Sequence, residues 1–262
     1  MRKTQATYLV FSFLSGMVLL FLVGPLVSLF LSSTPNNIFE TSGDAEVIRS
    51  IWLTLWTSMV GTLVFAIAAI PFAYLLARKN FPLKKLVNGV IDLPIVIPHT
   101  AAGIALLGSI SRDTWVGKLA NGLGIDFIGH PAGIAMAMAF VSLPFLINAA
   151  RDGFAAVPEK LEKAAMNLGA TRWRAFSSIS VPLAWRNILS GLIMMFARGM
   201  SEFGAVVIIA YHPMIAPVMI YERFSSFGLD YARPVAILFI AVSLVFFLLL
   251  RLISKKEDHA ED

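Results

Sequence analysis

The chain has 262 residues, of which 58% are hydrophobic and 14% charged. A soluble domain of this length has no interior large enough for so much apolar surface, which excludes an ordinary soluble enzyme and indicates a polytopic α-helical membrane protein. The formal charge of +5 reads as basic residues crowded into loops on one side of the membrane rather than as a nucleic-acid site, and the absence of cysteine excludes disulfides and thiolate chemistry.

Arg2 and Lys3 precede an apolar run over 8–31. At ~24 residues it is longer than a signal-peptide core of ~7–15 and no small-x-small cleavage site follows, so it is read as a retained first span. Residues 32–49 are polar. The second span is expected over 51–76, with Pro71 inside it. RKNFPLKK at 78–85 then carries four cations. The third span, over 86–110, holds Asp92, Pro94, Pro98 and His99 and is expected to be kinked or partly unwound, as neighbouring helices tolerate. A Gly-rich polar loop with Arg112, Asp113, Lys118 and Asp126 reads as turns. The fourth span, over 131–150, has Ala135 and Ala139 as a flat face for close packing.

Residues 154–182 form the longest polar interval between apolar runs. Pro158 suits the first turn of a helix. Glu159 and Glu162 place negative charge near that helix's positive end. Val157, Leu161, Ala164 or Ala165, and Leu168 recur at helical spacing as one apolar stripe. Gly169 suits the left-handed backbone that ends a helix, and Thr171 suits the cap of a second one, expected to stop before Pro182. Two short helices in one loop, with an apolar stripe and basic surroundings, read as a handle for another protein. The fifth span is expected over 183–211, a short amphipathic piece within 213–232, the sixth span over 234–250, and a polar tail after it.

With the N-terminus in the cytoplasm, fifteen Lys and Arg fall on the cytoplasmic side and five outside. This asymmetry supports six spans with both ends inside, in the cell membrane, and puts 154–182 in the cytoplasm. No internal repeat relates the two halves, so a two-fold transport path needs a second copy of the chain.

Arg198 and Glu202, four apart, are expected on one helix face midway along the fifth span. An unpaired charge at that depth costs ~2.5–3.5 kcal/mol on insertion scales, so both must face protein or water. Two compatible readings stay open: a structural ion pair, or the lining of a pathway in which Gly199, Ser201 and Gly204 give room. His99 is read as a hydrogen-bonded kink residue or a gate. The cations of 78–85 read as orientation signals or a secondary partner contact, and Arg172, Trp173 and Arg174 as contacts to a partner or to lipid headgroups. His99, His130, His212 and His259 are scattered singly, without metal-ligand spacing. No G-x-x-x-x-G-K-[ST] and no nucleophile–base set occurs, so neither ATP binding nor an enzymatic site is expected in this chain.

The 154–182 loop resembles the cytoplasmic motif of ABC importer membrane subunits, E-A-A-(x)3-G-(x)9-I-x-L-P. Ala164, Ala165, Gly169, Ile179 and Pro182 fit. Lys163 stands where the family usually has Glu, Val181 stands for Leu, and Glu162 lies one residue early. ARGMSEFGAVVII at 197–209, DLPIVIPHTAAGIALL at 92–107 and FVSLPF at 140–145 are similar to segments of molybdate, tungstate and sulfate permeases, so the resemblance runs from the second span through the fifth.

The resemblance implies an all-α, six-span, type I importer permease fold acting as a homodimer within the membrane lipid. It implies two copies of a separate ATPase subunit that bind ATP and Mg, and an external oxyanion-binding protein. The chain itself would hold no cofactor or metal. Pro158, Glu159, Leu161, Glu162, Ala164, Ala165, Leu168 and Gly169 would form the ATPase-coupling helix. The implied cargo is a tetrahedral oxyanion, molybdate or tungstate ahead of sulfate. The chain ends about eleven residues past Arg251, so the extra cytoplasmic regulatory domain of some family members is expected to be absent. An ATP-independent secondary transporter is the alternative; the structured loop and the lack of inverted repeats disfavour it.

Overall fold

A computed structural model describes residues 2–256, with side chains from Tyr8 to Leu252. His259 and the tail past Lys256 lie outside them, as do the side chains of Arg2, Lys3, Lys255 and Lys256. In chain order the helices are α1 (Arg2–Leu31), α2 (Pro35–Ser42), α3 (Ala45–Arg78), α4 (Lys84–Val96), α5 (His99–Ile110), α6 (Trp115–Gly122), α7 (Pro131–Ala156), α8 (Glu159–Asn167), α9 (Arg172–Ala175), α10 (Val181–Met200), α11 (Gly204–Ile209), α12 (Ala216–Phe227) and α13 (Leu229–Lys256). A π-helical turn, Phe176–Ser180, joins α9 to α10.

Five helical stretches are long and apolar enough to span a membrane, or six where the bent pair α4–α5 counts as one span. The core is α3, α7 and α10 packed together. Small residues set the approach: a Cβ on Gly61 would lie 2.7 Å from the Ala135 carbonyl oxygen, and one on Gly191 would lie 3.1 Å from the Leu146 Cα. The expected flat face of the fourth span is thus in use, at Ala135 against Gly61. Buried hydroxyls bond backbone carbonyls, Thr54 to Ser50 at 2.6 Å and Ser58 to Phe196 at 2.8 Å, so these polar atoms are paired inside the apolar seam.

The Arg78 end of α3 and the Phe154 end of α7 lie side by side, joined by Arg78 Nη1 donating to the Phe154 carbonyl at 2.7 Å. α10 starts beside them and runs back, so that Phe196 and Met200 pack with Val47 and Leu55 near the start of α3. α8 therefore projects at the end where α3 and α7 finish. α1 lies outside this core, with nearly all its apolar residues exposed from Tyr8 to Leu31.

Several elements differ from the sequence reading. The second span starts six residues early, because Asp44 caps α3 by accepting the N–H of Glu46 at 2.8 Å. The third span breaks as expected, sharply: α4 and α5 meet at 114°, because Pro98 denies the ladder a donor and pushes Ile97 into extended backbone. The fifth span is not continuous to residue 211; α10 ends at Met200, and α11 restarts at Gly204. The second loop helix does not stop before Pro182. The π turn shifts the bonding register just ahead of the proline, whose missing N–H falls in the first turn of α10, so the helix runs on into the span. The loops over 32–49 and 112–126 hold the short helices α2 and α6.

The packing at Gly61 makes a test. Overpacking against backbone costs roughly 1–3 kcal/mol or more. Gly61→Ala should lower the melting temperature in detergent, whereas Gly89→Ala, where a Cβ meets nothing within 4 Å, should not. Equal melting of Gly61→Ala and wild type would contradict the α3–α7 contact.

Candidate functional site

Two sites emerge, one at each level of the broken bundle. The first is the α8 loop. Pro158 sits at the N-cap of α8 rather than within its first turn, with extended backbone that turns the chain away from α7. Glu159 and Glu162 occupy the first turn. Gly169 has φ +92°, where an L side chain would be strained, and closes the helix as its sequence position implied. Thr171 accepts the N–H of Arg174 at 3.2 Å and caps α9.

Glu162 is the centre of this site. It is 6% exposed. Its Oε1 accepts from Arg78 Nε at 2.8 Å, Arg78 Nη2 at 2.6 Å and the Ser180 hydroxyl at 2.6 Å, and its Oε2 accepts from the Tyr74 hydroxyl at 2.7 Å. Burial acts to raise the Glu162 carboxyl, but the bonds from Ser180, Arg78 and Tyr74 and the Arg78 charge outweigh it and hold the group below the ordinary carboxylate range. The ionised carboxylate therefore stabilises the fold at pH above the ordinary carboxylate range, and that contribution is lost as the pH falls through the lowered folded value. Tyr74, Phe154 and Phe176 pack around it at ring separations of 4.9–6.0 Å.

The inward turn of Glu162 sets the other faces. Lys163, at the position where the resemblance has Glu, is exposed and pairs with Glu159 of its own helix at 3.0 Å. Val157 is buried in the core and is not part of the stripe. Leu161, Ala164 and Leu168 face outward, and Leu168 is 90% exposed. The sequence reading missed Tyr74, Arg78 and Ser180. Arg78 was visible as part of the 78–85 cation run, but nothing in the spacing linked it to a residue 84 positions away.

The second site lies where the breaks of the third and fifth spans meet. His99 opens α5 and Glu202 lies in the turn between α10 and α11. His99 Nδ1 is 2.6 Å from Glu202 Oε2, and Arg198 Nη2 is 3.0 Å from the same oxygen. Arg198 Nη2 also lies 2.9 Å from His99 Nε2. Nη2 is also 2.8 Å from Nδ1, so the guanidinium stands over the imidazole face rather than on a ring lone pair, and the Nδ1–H that donates to Glu202 orients the ring. Glu202 Oε1 accepts the N–H of Ala205 at 2.9 Å and so caps α11. Glu202 is fully buried, whereas the Arg198 and His99 side chains are 24% and 36% exposed. Arg198 and Glu202 thus pair across the end of α10 rather than along one helix face. Ser201 accepts from Arg198 Nη1 at 3.2 Å.

The glycines here bring neighbouring elements close together. A Cβ on Gly204 would lie 2.7 Å from the His99 Cβ, and one on Gly199 would lie 2.6 Å from the Ser58 hydroxyl. Both permit close contact between helices. Nearer the α8 end, Asn148 donates to Asp92 at 2.7 Å, which gives that intramembrane carboxylate a partner the sequence did not reveal.

Comparison with known proteins agrees with this architecture. Residues 69–259 match the family described as binding-protein-dependent transport system inner membrane component. The chain is 42% identical over 253 residues to the molybdate/tungstate transport system permease protein WtpB of Thermococcus kodakarensis, covering 96% of this chain and 97% of that one. It is 30% identical over 245 residues to the sulfate transport system permease protein CysT of Synechocystis, covering 91% and 86%. Among solved structures, a chain of the bacterial alginate ABC transporter, in complex with its alginate-pentasaccharide-bound periplasmic protein, superposes with a TM-score of 0.76 at 18% identity, covering 98% of each. A chain of the MetNI methionine ABC transporter superposes with a TM-score of 0.61 at 14% identity, covering 82% and 95%. With an all-helical bundle of five to six candidate spans and a family match over most of its length, this chain belongs to the inner-membrane permease components of ABC importers.

Proposed function

We propose that this permease carries a tetrahedral oxyanion into the cell, molybdate or tungstate in preference to sulfate. It works as a homodimer driven by two copies of a separate ATPase that binds ATP and Mg, and it receives the anion from an external binding protein. The ranking of anions rests on relatives at about 40% identity named for molybdate and tungstate, against about 30% for those named for sulfate. Both chain ends and α8 are assigned to the cytoplasm, where the bias of Lys and Arg puts them.

The observation that carries the coupling role is the outward face of α8. Leu161 and Leu168, 39% and 90% exposed, lie on a helix whose opposite face is fixed by Glu162. Exposed leucines on a rigid helix suit insertion into an apolar cleft of another protein. Pro158 and Gly169 fix where the helix enters and leaves, and Ala164 and Ala165 keep its flank narrow for close approach.

Arg198, Ser201, Glu202, Gly204 and His99 are assigned to the translocation pathway. The Arg198 guanidinium has donors left after bonding Glu202 and Ser201, and its open edge can meet an oxyanion. Glu202 offsets its charge, so an anion is met without being trapped.

Two outcomes test these roles. Burying a leucine side chain at a contact contributes about 1.5–3 kcal/mol. Leu168→Glu should therefore leave membrane insertion intact and weaken ATPase co-purification about tenfold or more; full recovery of the ATPase would contradict the docking face. Glu202→Gln removes the charge that balances Arg198 and weakens the cap on α11. Uptake of radiolabelled molybdate should fall while the ATPase stays bound, and unchanged uptake with unchanged coupling would remove this cluster from the pathway.

A further inference from the structure

Glu162 is counted above among the coupling residues, yet it does not face outward. Its two oxygens accept four hydrogen bonds from two elements, Tyr74 and Arg78 on α3 and Ser180 in the π turn that leads into α10. Arg78 extends the link to α7 through the Phe154 carbonyl. One carboxylate on α8 thus reaches the cytoplasm-proximal ends of three core helices. Resting on the proposed docking role of α8, we infer that Glu162 is a positioning residue that joins α8 rigidly to α3, α7 and α10, so that a pull on α8 moves all three as one body.

Several features of the chain favour a rigid joint over a free swivel. α8 has nine residues, too few to hold a helical form alone, and it packs against α9 and the π turn. Its connections are short, and one contains Gly169, so without the carboxylate the helix would hang from two pliable links. The bonds to Arg78 are charge-assisted and shielded: the two side chains are 9% and 8% exposed. The rings of Tyr74, Phe154 and Phe176 wall the joint on the side of the core. Lys163 completes the argument from the other side. At the position where the resemblance has Glu, this chain has an exposed cation paired within its own helix, so the carboxylate that matters here is the one turned inward.

The test uses the assembled complex of permease, ATPase and binding protein, with molybdate as the anion. Spin labels at Asn80 and Lys160, both exposed, report the joint within one chain. Labels at Lys160 of the two copies report the transport motion. The Asn80–Lys160 distance should be the same without nucleotide and with ATP trapped, while the Lys160–Lys160 distance changes. Glu162→Gln should broaden the Asn80–Lys160 distribution and reduce molybdate moved per ATP hydrolysed about tenfold or more, with the ATPase still bound. A role in stability alone would lower the yield of complex and leave that ratio unchanged. Tyr74→Phe, which deletes one bond, should give a smaller loss of the same ratio and serves if Glu162→Gln does not assemble. The joint is overturned if the wild-type Asn80–Lys160 distance shifts between states as much as the distance between copies, or if both variants keep the wild-type ratio. A wild-type complex that holds no ATPase would instead overturn the docking role on which the inference rests.

Discussion

A buried carboxylate without partners is too costly to persist, and the partners of Glu162 lie on one side of α8 only. That constraint decides how the helix is rolled about its axis. With Glu162 turned to Arg78, Tyr74 and Ser180, the roll is fixed, and Leu161, Ala164 and Leu168 have only the outward direction left. The proposed docking face is therefore a consequence of an ion pair rather than of hydrophobicity, which by itself would draw leucines inward. Removing one partner of such a pair strands the other, so the arrangement is held from both ends.

A second constraint acts at the opposite level of the bundle. Where a spanning helix breaks, its freed N–H and C=O groups need partners in surroundings poor in water. Here two breaks are brought together and share the solution. Glu202 caps α11 through Ala205 and meets His99 at the start of α5 and Arg198 at the end of α10. The same cluster supplies backbone satisfaction, a closed ion pair and a partly exposed guanidinium. The structural role of Arg198 and Glu202 and the pathway role proposed for them draw on this one geometry. The close approach of Gly103 to Ala205 and of Gly204 to His99 holds α5 against α11 beside it.

Much of the architecture was readable from the chain because its causes are local. Hydropathy runs mark the spans, and Pro94 and Pro98 mark the bend between α4 and α5. Gly169 and Thr171 mark the end of α8 and the start of α9, since turn and cap geometry depends on one or two residues. The break at residues 201–203 was not readable. It contains no proline, and its capping carboxylate looked like half of an i, i+4 pair. The π turn before Pro182 was equally hidden, because a proline after polar residues normally signals a stop. The inward roll of Glu162 was lost for a different reason: its partners lie 84 and 88 positions earlier and 18 later, and periodicity carries no information about such contacts. Val157 was misassigned to the outward stripe because the stripe was counted through Pro158, where the chain changes direction.

The central claim is that the outward face of α8, held by its inward carboxylate, sits inside another protein. The chain has no cysteine, so single cysteines can be introduced without background. The most direct measurement places one at Leu168 and carries a photoactivatable crosslinker on it in native membranes. The account predicts one dominant adduct, with an ATPase subunit, and none from a cysteine at Lys118 on α6. Adducts with lipid alone, or none at Leu168, would contradict it.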